Sequence, residues 1–295
     1  MSKSILLNSS QFDGFNKMIY RFPTNVDLQG KEVCLVNLSF YNCFFNISTA
    51  LANNSITIKF PVFTSNTVYT MTNYTHVFSD GFYSIEDINA SLQNFFINNN
   101  LYLYDAANQQ NMYFVNFIQN SVSYAFQLDT YSVPTRPQAD QMGSSGGCYS
   151  LLNPTGPRQS HPQVVIPSVG LGRLLGFPLG TYPVLPIESI SADFYPNSIL
   201  GPQAPAINAV NSILLRTNIV NNNGISISND LLALVPVSAS FGAVNQYSAN
   251  IPVYTRVHPQ NYSYLEVSFH DQNLQPLFIR DSEITMTLHI RDERK

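Results

Sequence analysis

The segment LEVSFHDQNLQPLFIRDSEITMTLHI, residues 265–290, decides the fold class of this chain. Apolar and polar side chains alternate up to His270, and they alternate again from Glu283 onward. A period of two residues puts alternate side chains on opposite faces, so each run predicts a half-buried β-strand. Pro276 between the runs lacks a backbone donor, which suits an edge or a turn. The segment therefore predicts a strand, a polar turn and a closing strand.

The same segment contains four ionisable side chains that also permit an acid–base site: His270, Asp271, Asp281 and Glu283. The alternation assigns His270 to the polar face, pointing away from the core, and neighbouring residues on a strand point to opposite faces. Asp281 and Glu283 precede the closing strand, where polar residues mark a turn. Ordinary surface clusters greatly outnumber sites of perturbed acidity. We therefore expect His270, Asp271 and Asp281 to be dispensable for any chemistry, and their joint replacement by alanine to leave folding nearly intact.

The composition describes a chain with a large core and a weakly charged surface. Of its 295 residues, 44% are hydrophobic and 11% are charged, with a formal net charge of -4. An average soluble domain has roughly 25% charged residues, and a surface with fewer charges repels its own copies weakly. Apart from the mixed tail RDERK (291–295), no run of basic residues occurs. Direct binding to nucleic acid is therefore not expected.

Membrane and disulfide signals are weak. No stretch approaches the roughly 18 apolar residues of a membrane span, and the start MSKSILLNSS is too short for a secretory signal. Cys34 and Cys43 would face opposite sides of one continuous strand, and Cys148 lies in a flexible glycine-rich loop. We expect a soluble protein made in a reducing compartment, with buried or loop thiols and no metal pair.

Strand patterns recur along the chain and are separated by turn signals. They occur at 18–22, 30–42, 55–60, 121–128 and 224–228, in addition to the two strands of the opening segment. Many short strands with this spacing are typical of an antiparallel sandwich or barrel. The sequence therefore predicts an all-β fold.

One segment instead follows helical spacing. Apolar residues recur at three and four positions between Ile85 and Phe96, and Ser84 with Asp87 forms a capping-box signature. We predict a single amphipathic helix over Ser84–Asn98, with Ile88, Leu92 and Phe95 facing the sheet.

A proline-rich region interrupts the strand pattern between residues 130 and 211. A loop of this length in a compact domain is normally functional or is a small insertion with its own structure. We therefore predict one jelly-roll domain from 1–129 and 212–295, with 130–211 forming long loops or a small insertion.

Known catalytic and cofactor motifs do not fit the chain. There is no G-x-S-x-G, and the histidines at 76, 161, 258, 270 and 289 lack metal-ligand spacing. His161 and His258 each precede a proline and are interpreted as turn residues. In GLGRLLG (170–176) the third glycine comes one position too late for a dinucleotide fingerprint, and no clean strand–helix context surrounds it. We predict no catalytic, cofactor-binding or metal-binding residues and no cofactor, so a structural or binding protein is favoured over an enzyme.

Five blocks of sequence occur in an order that resembles one known family. They are IYRFPTNVDLQGKEVCLVNLSFYNCFFNIS (19–48), FSDGFYSIEDINASLQNFF (78–96), LLGFPLGTYP (174–183), LLALVPVSASFGAVNQYSANIPVYTRV (231–257) and the opening segment up to residue 291. Together they resemble the penton, or vertex, capsid proteins of virophages and Polinton (Maverick) elements, most closely those of mavirus-type virophages. Residues 130–173 and 195–225 match nothing in that pattern.

The resemblance implies a single jelly-roll β-sandwich that forms homopentamers at the fivefold vertices of an icosahedral capsid. Its implied partner is a double-jelly-roll major capsid protein, and its implied location is the virion capsid, assembled in the host-cell cytoplasm. No site residues are implied, because the family works through surfaces. The alternative is a jelly-roll receptor- or carbohydrate-binding protein, for which the tyrosine-rich segments 102–113 and 247–264 could supply a binding surface.

Overall fold

The computed structural model of the chain describes residues 2–63, 69–105, 109–133, 159–189, 196–220, 230–281 and 283–293. The contacts divide the chain into two compact units. One combines Met1–Phe44 with Ala209–Lys295, and we call it the split unit. The other is Phe45–Asn208, which we call the inserted unit.

The strands and helices of the inserted unit lie in the chain between two groups of strands of the split unit. The first part of the split unit contains β1 (Lys3–Leu7), a short 3-10 helix (Ser9–Gln11), β2 (Lys17–Asp27) and β3 (Lys31–Tyr41). The inserted unit begins with β4 (Ser55–Phe63), β5 (Tyr69–Val77), α1 (Ile85–Asn98), β6 (Leu103–Asp105), β7 (Gln110–Met112), β8 (Val115–Asn120) and β9 (Ala125–Tyr131). It continues with β10 (Gln159–Ser160), β11 (Gln163–Ile166), α2 (Val169–Leu175), β12 (Gly180–Tyr182), β13 (Glu188–Ser189) and β14 (Pro196–Leu200). The split unit then resumes with β15 (Ser212–Thr217), β16 (Leu231–Pro236), β17 (Val244–Ser248), β18 (Thr255–Arg256), β19 (Asn261–Asp271) and β20 (Thr285–Asp292).

The split unit has two antiparallel sheets. Their strand orders are β1-β20-β3-β17 and β16-β15-β19-β2, and the short β18 also pairs with β3. Without β18, the first strand of this unit pairs with the eighth, the second with the seventh, the third with the sixth and the fourth with the fifth. Such nested pairing is that of one long hairpin rolled into two sheets, which is a jelly roll. The prediction of an all-β jelly-roll sandwich is therefore confirmed, and the eight-strand order lies in the split unit.

The core of the split unit comes from the alternation in the opening segment. Leu265, Val267 and Phe269 on β19 are fully buried, as are Met286 and Leu288 on β20. Burying one such side chain contributes about 1.5–3 kcal/mol, so these strands stabilise the sandwich substantially. Both strands lie where the sequence predicts them.

The inserted unit has a separate core. Its larger sheets have the orders β12-β11-β4-β5 and β14-β9-β8, and two short pairs, β6-β7 and β10-β13, accompany them. Buried side chains from these strands and from both helices form one apolar cluster that includes Phe60, Phe114, Phe117 and Phe177. A second β-rich unit with its own core therefore follows the third strand of the jelly roll in the sequence and precedes the fourth.

Helix α1 confirms the main helix prediction. Ser84 is its N-cap, and the Ser84 hydroxyl and the Asp87 carboxylate exchange hydrogen bonds with each other's backbone N–H groups. Ile88 and Leu92 are buried as predicted. The fully buried aromatic residue of the helix is Phe96, whereas Phe95, predicted to face the sheet, is only partly buried against the same core.

The expectation of a single helix is wrong, because a second helix, α2, follows β11. It has seven residues, begins after the N-cap Ser168 and ends at Gly176, whose φ of 75° is left-handed. Two turns are too short to produce a clear helical periodicity, which explains why the sequence pattern does not reveal it. A strand does precede this helix, but Gly170 and Gly172 lie inside it and form no phosphate-binding turn.

The predicted bounds of the strand over 121–128 are also wrong, because β9 begins at Ala125. Residues 121–124 form the turn of a hairpin between β8 and β9, and Val122 at its tip is 96% exposed. The alternation there continues through a turn, so periodicity alone does not locate the chain reversal. The strand predicted over 224–228 lies outside the described residues.

The contacts divide the chain at other positions than the proline-rich pattern suggests. The inserted unit begins at Phe45, whereas the sequence predicts an insertion over 130–211. Within that range the described residues form strands from β10 to β14 and helix α2. The division at 130 and 211 stays a prediction. In the described part of the chain, no helix has the length and apolarity of a membrane span.

Candidate functional site

His270 is buried, which corrects the prediction that it points into solvent. It is 8% exposed, and its Nδ1 has no hydrogen-bond partner among the described residues. The chain after β19 folds back, so that Pro276 forms a bridge with His270. Alternation predicts on which face of a strand a side chain lies, but it does not show whether a later part of the chain covers that face. Burial, followed by the positive charge of Arg216, lowers the pKa of His270 and so favours the neutral imidazole.

The carboxylates of Asp271 and Asp281 accept hydrogen bonds from backbone N–H groups. The Asp271 carboxylate accepts hydrogen bonds from the N–H groups of Asn273 and Gln275, both at 2.8 Å. Asp281 is 6% exposed, and its two oxygens accept from the N–H groups of Tyr41 and Glu283, both at 2.7 Å. Both carboxylates therefore stabilise the backbone around them. The expectation that replacing Asp281 leaves folding nearly intact does not fit the burial of this side chain.

The opening cluster does not assemble into an acid–base pair. An activated base needs a hydrogen bond to an orienting group, and neither Asp271 nor Asp281 donates or accepts one with His270. Glu283 is exposed. In the described ranges, no group of three or more His, Cys, Asp and Glu side chains could hold a metal ion. Nothing in this geometry activates a nucleophile.

A second polar cluster lies buried in the inserted unit. His161, predicted to be a turn residue, is 4% exposed, and its Nδ1 lies 2.8 Å from the carbonyl oxygen of Thr130. Burial lowers the pKa of His161, whereas the bond to Thr130 raises it less. Ser132 follows Thr130 by two residues, and Ser160 directly precedes His161. The hydroxyls of both serines are buried and make no hydrogen bond within the described structure, so neither is paired with the imidazole. Within this cluster, neither serine hydroxyl is therefore activated by His161.

A third cluster, which no sequence pattern marks, lies on the sheet of β3 and β20. Cys34 and His289 are cross-strand partners, and the Tyr254 hydroxyl lies 2.7 Å from Nδ1 of His289. The Arg291 guanidinium stacks 3.3 Å from the Tyr254 ring centroid and bonds to Glu32 at 3.0 Å. Burial raises the pKa of the Cys34 thiol. A protonated, fully buried thiol is a poor nucleophile, so the cluster is best described as packing.

Residues 231–255 of the jelly roll contain no Asp, Glu, Lys or Arg, and we call the surface that they form the neutral side. It contains β16 and β17, the edge strands of the two sheets. The exposed apolar side chains of the neutral side are Leu234, Phe241, Val244, Ile251 and Val253. Exposed apolar groups gathered in one segment mark interaction surfaces more often than isolated ones do.

The other pair of edge strands has the opposite character. β1 and β2 contact each other, and they contain Lys3, Arg21 and Asp27, all exposed. β2 also contains Pro23, which cannot donate to a ladder. Charges and proline on an edge are common protections against pairing with another chain. The jelly roll therefore has a protected side and a neutral side.

A shallow cavity of about 380 Å³ opens in the inserted unit. Its lining includes Gln119, Tyr124 and Asn208, and Tyr124 is 71% exposed. Amides beside an exposed aromatic ring can bind hydroxyl-rich ligands. In the tyrosine-rich segments, by contrast, Tyr262 is buried and Tyr113 packs against Phe96.

Comparison with known proteins adds one structural likeness. No protein-family model matches the chain, and no curated protein sequence matches it. Among solved structures, the fold is similar to the crystal structure of the selenomethionine-labelled mavirus penton protein, with 10% sequence identity and a TM-score of 0.49. The alignment covers 99% of this chain and 98% of that one.

Proposed function

We propose that the protein is a structural capsid protein, a penton that forms homopentamers at the fivefold vertices of an icosahedral, virophage-like capsid. It is not an enzyme in this proposal. Its partners are its own copies and a double-jelly-roll major capsid protein. It acts in the virion capsid, after assembly in the host-cell cytoplasm.

The observation that carries the proposal is the strand order of the split unit. Its eight strands pair in the nested order of a jelly roll, with a second β-rich unit inserted after the third strand. The penton-like blocks coincide with ordered elements of both units. Residues 19–48 contain most of β2 and all of β3, 78–96 contain most of α1, and 231–257 include the neutral side.

The neutral side supports assembly into a ring. A cyclic ring uses two different surfaces of each subunit, which meet head to tail. The neutral side and the β1–β2 side are different surfaces, formed by opposite edges of the same two sheets. We propose that the neutral side of one copy contacts the β1–β2 side of the next through side chains, because the charges and the proline of β1 and β2 oppose only backbone pairing at that edge.

The test is co-expression with a double-jelly-roll major capsid protein, followed by gradient sedimentation of the shells. The wild-type chain is expected to co-sediment with closed shells. Val244→Lys introduces a charge at the exposed centre of the neutral side and is expected to reduce incorporation. Asn94→Lys, on the exposed face of α1, is the matched control and should leave incorporation unchanged. A wild-type chain that never enters shells contradicts the function, whereas equal incorporation of both variants contradicts only the assigned side.

The cavity beside Tyr124 favours a second candidate, a receptor- or carbohydrate-binding protein. Glycan-array binding tests it directly. Saturable binding to one sugar class that Tyr124→Ala abolishes would support this candidate, and a blank array would leave the capsid role as the sole proposal.

A further inference from the structure

Strand β5 of the inserted unit is a long edge strand. It pairs with β4 over nine consecutive residue pairs, from Phe63–Tyr69 to Ser55–Val77, without a register shift. The sheet order β12-β11-β4-β5 puts it at an end, and in the described part of the chain no other strand pairs with it. Nine residues exceeds the commonest strand length of about 5–6 residues, so this edge is long, and its ladder is regular.

The phase of the ladder identifies which backbone groups face outward. Directly after β5, the Phe78 N–H donates to the Asn54 carbonyl at 2.7 Å. In an antiparallel ladder every second residue bonds to the partner strand, so the even-numbered residues of β5 bond to β4. The N–H and C=O groups of Met71, Asn73, Thr75 and Val77 therefore point away from the sheet.

The sequence of β5 contains neither the charges nor the proline that commonly protect an edge. From Tyr69 to Val77 there is no Lys, Arg, Asp, Glu or Pro. Edge strand β2 differs sharply, since it contains Lys17, Arg21 and Pro23. Long, regular and uncharged edges are those that pair with another strand.

We infer that two copies of the protein join their β5 edges as antiparallel strands about a twofold axis, with Asn73 opposite Asn73. The two four-stranded sheets then form one continuous sheet. A twofold contact brings a surface against itself, so any charge on it would meet a like charge. No side chain of β5 itself is charged, and Lys59, the cross-strand neighbour of Asn73, lies one strand away from the contact, so the edge is compatible with its own copy. In this register Met71 lies opposite Thr75, an apolar side chain against a β-branched one.

The contact lies wholly in the inserted unit and goes beyond the proposed function, which uses the sides of the jelly roll. A ring contact and a twofold contact differ in the residues that they need. The two inferences can therefore fail separately.

Charge exchange at Asn73 is the sharpest test. Its side chain is exposed, so Asn73→Asp and Asn73→Lys should both fold, which melting curves check. Each variant alone brings like charges together, and its dimer is expected to weaken by at least about tenfold in sedimentation velocity. An equimolar mixture of the two should restore dimers, now formed from one chain of each kind. Val122→Lys, a fully exposed turn position of the same unit, is the matched control and should dimerise like the wild type.

Hydrogen exchange gives a measurement that does not depend on variants. The amides of Met71, Asn73 and Thr75 should exchange more slowly at protein concentrations where dimers form than after dilution. A wild-type protein that stays monomeric at every concentration contradicts the inference. So does a dimer that both Asn73 variants leave intact, or a dimer in which these amides exchange at the same rate as in the monomer.

Discussion

At the scale of single residues, Asp281 links two distant parts of the split unit. Its oxygens accept from the N–H groups of Tyr41, at the end of β3, and Glu283, just before β20. Leaving a buried donor without a partner costs about 1–3 kcal/mol. One aspartate thus fixes the approach of the closing strand to β3.

Asp281→Ala is therefore expected to lower the free energy of unfolding by about 2–3 kcal/mol. Urea denaturation measures the change. Glu283→Ala, two residues away and exposed, is the control and should alter stability little. Equal midpoints for Asp281→Ala and the wild type would show that these hydrogen bonds do not stabilise the fold.

Buried His270 predicts a dependence of stability on pH. Its pKa is below the ordinary value of 6.5, so in acid the unfolded chain takes up a proton more readily than the folded chain does. Protonation of His270 does not affect stability at pH values above the pKa of this histidine in the unfolded chain. The loss of stability grows as the pH falls through that pKa, until the pKa of His270 in the folded chain is reached. The melting temperature should fall between about pH 7.5 and about pH 5.5, and His270→Gln should flatten that fall. Parallel melting curves for the two proteins would contradict this explanation.

At the scale of elements, α1 shows what a local pattern can determine. Ser84, Asp87 and the spacing of Ile88 and Leu92 lie within one stretch of chain, and the structure has the cap, the helix and its buried face. The cover over His270 is different, since it depends on how a later turn folds back. Local signals therefore predict elements, whereas burial on the outer face of a strand needs the tertiary structure.

Leu92→Asp is expected to destabilise the inserted unit by several kcal/mol, because it puts an unpaired charge at a position that is 1% exposed. Thermal melting followed by circular dichroism measures the loss. Asn94→Asp adds the same charge on the exposed face of α1 and serves as the control. If both variants melt together, α1 does not pack against the core.

Gly172→Ala sets helix propensity against packing in α2. Alanine favours a helix interior by about 1 kcal/mol over glycine. A Cβ at this position would lie 2.4 Å from the Phe177 carbonyl oxygen, a backbone atom that cannot move cheaply. The clash should dominate, and the variant should melt below the wild type, whereas Val169→Ala at the exposed start of the helix should not. A higher melting temperature for Gly172→Ala would reverse this ranking.

At the scale of the whole molecule, the sequence predicts the all-β class, whereas the two units follow from contacts between distant parts of the chain. The jelly roll is closed by strands that are far apart in sequence, such as β3 and β20. Proline content marks irregular segments, and it says nothing about which strands share a core. The inserted unit starts at Phe45, in a stretch with ordinary strand patterns on both sides, so no local signal marks its beginning.

The candidate assembly surfaces were only partly predictable for the same reason. Sparse charge is visible in the composition, and residues 231–255 can be recognised as uncharged from the sequence. That β16 and β17 are both edge strands follows only from the sheet order. An uncharged strand at the centre of a sheet would have no role in assembly.

The most direct test of the capsid role is electron cryomicroscopy of shells formed by co-expression with a double-jelly-roll major capsid protein. We expect five copies of the jelly-roll unit around each fivefold axis, with the neutral side at the contact between neighbours. Closed shells with empty vertices, or density for this chain only between the hexamers, would contradict it.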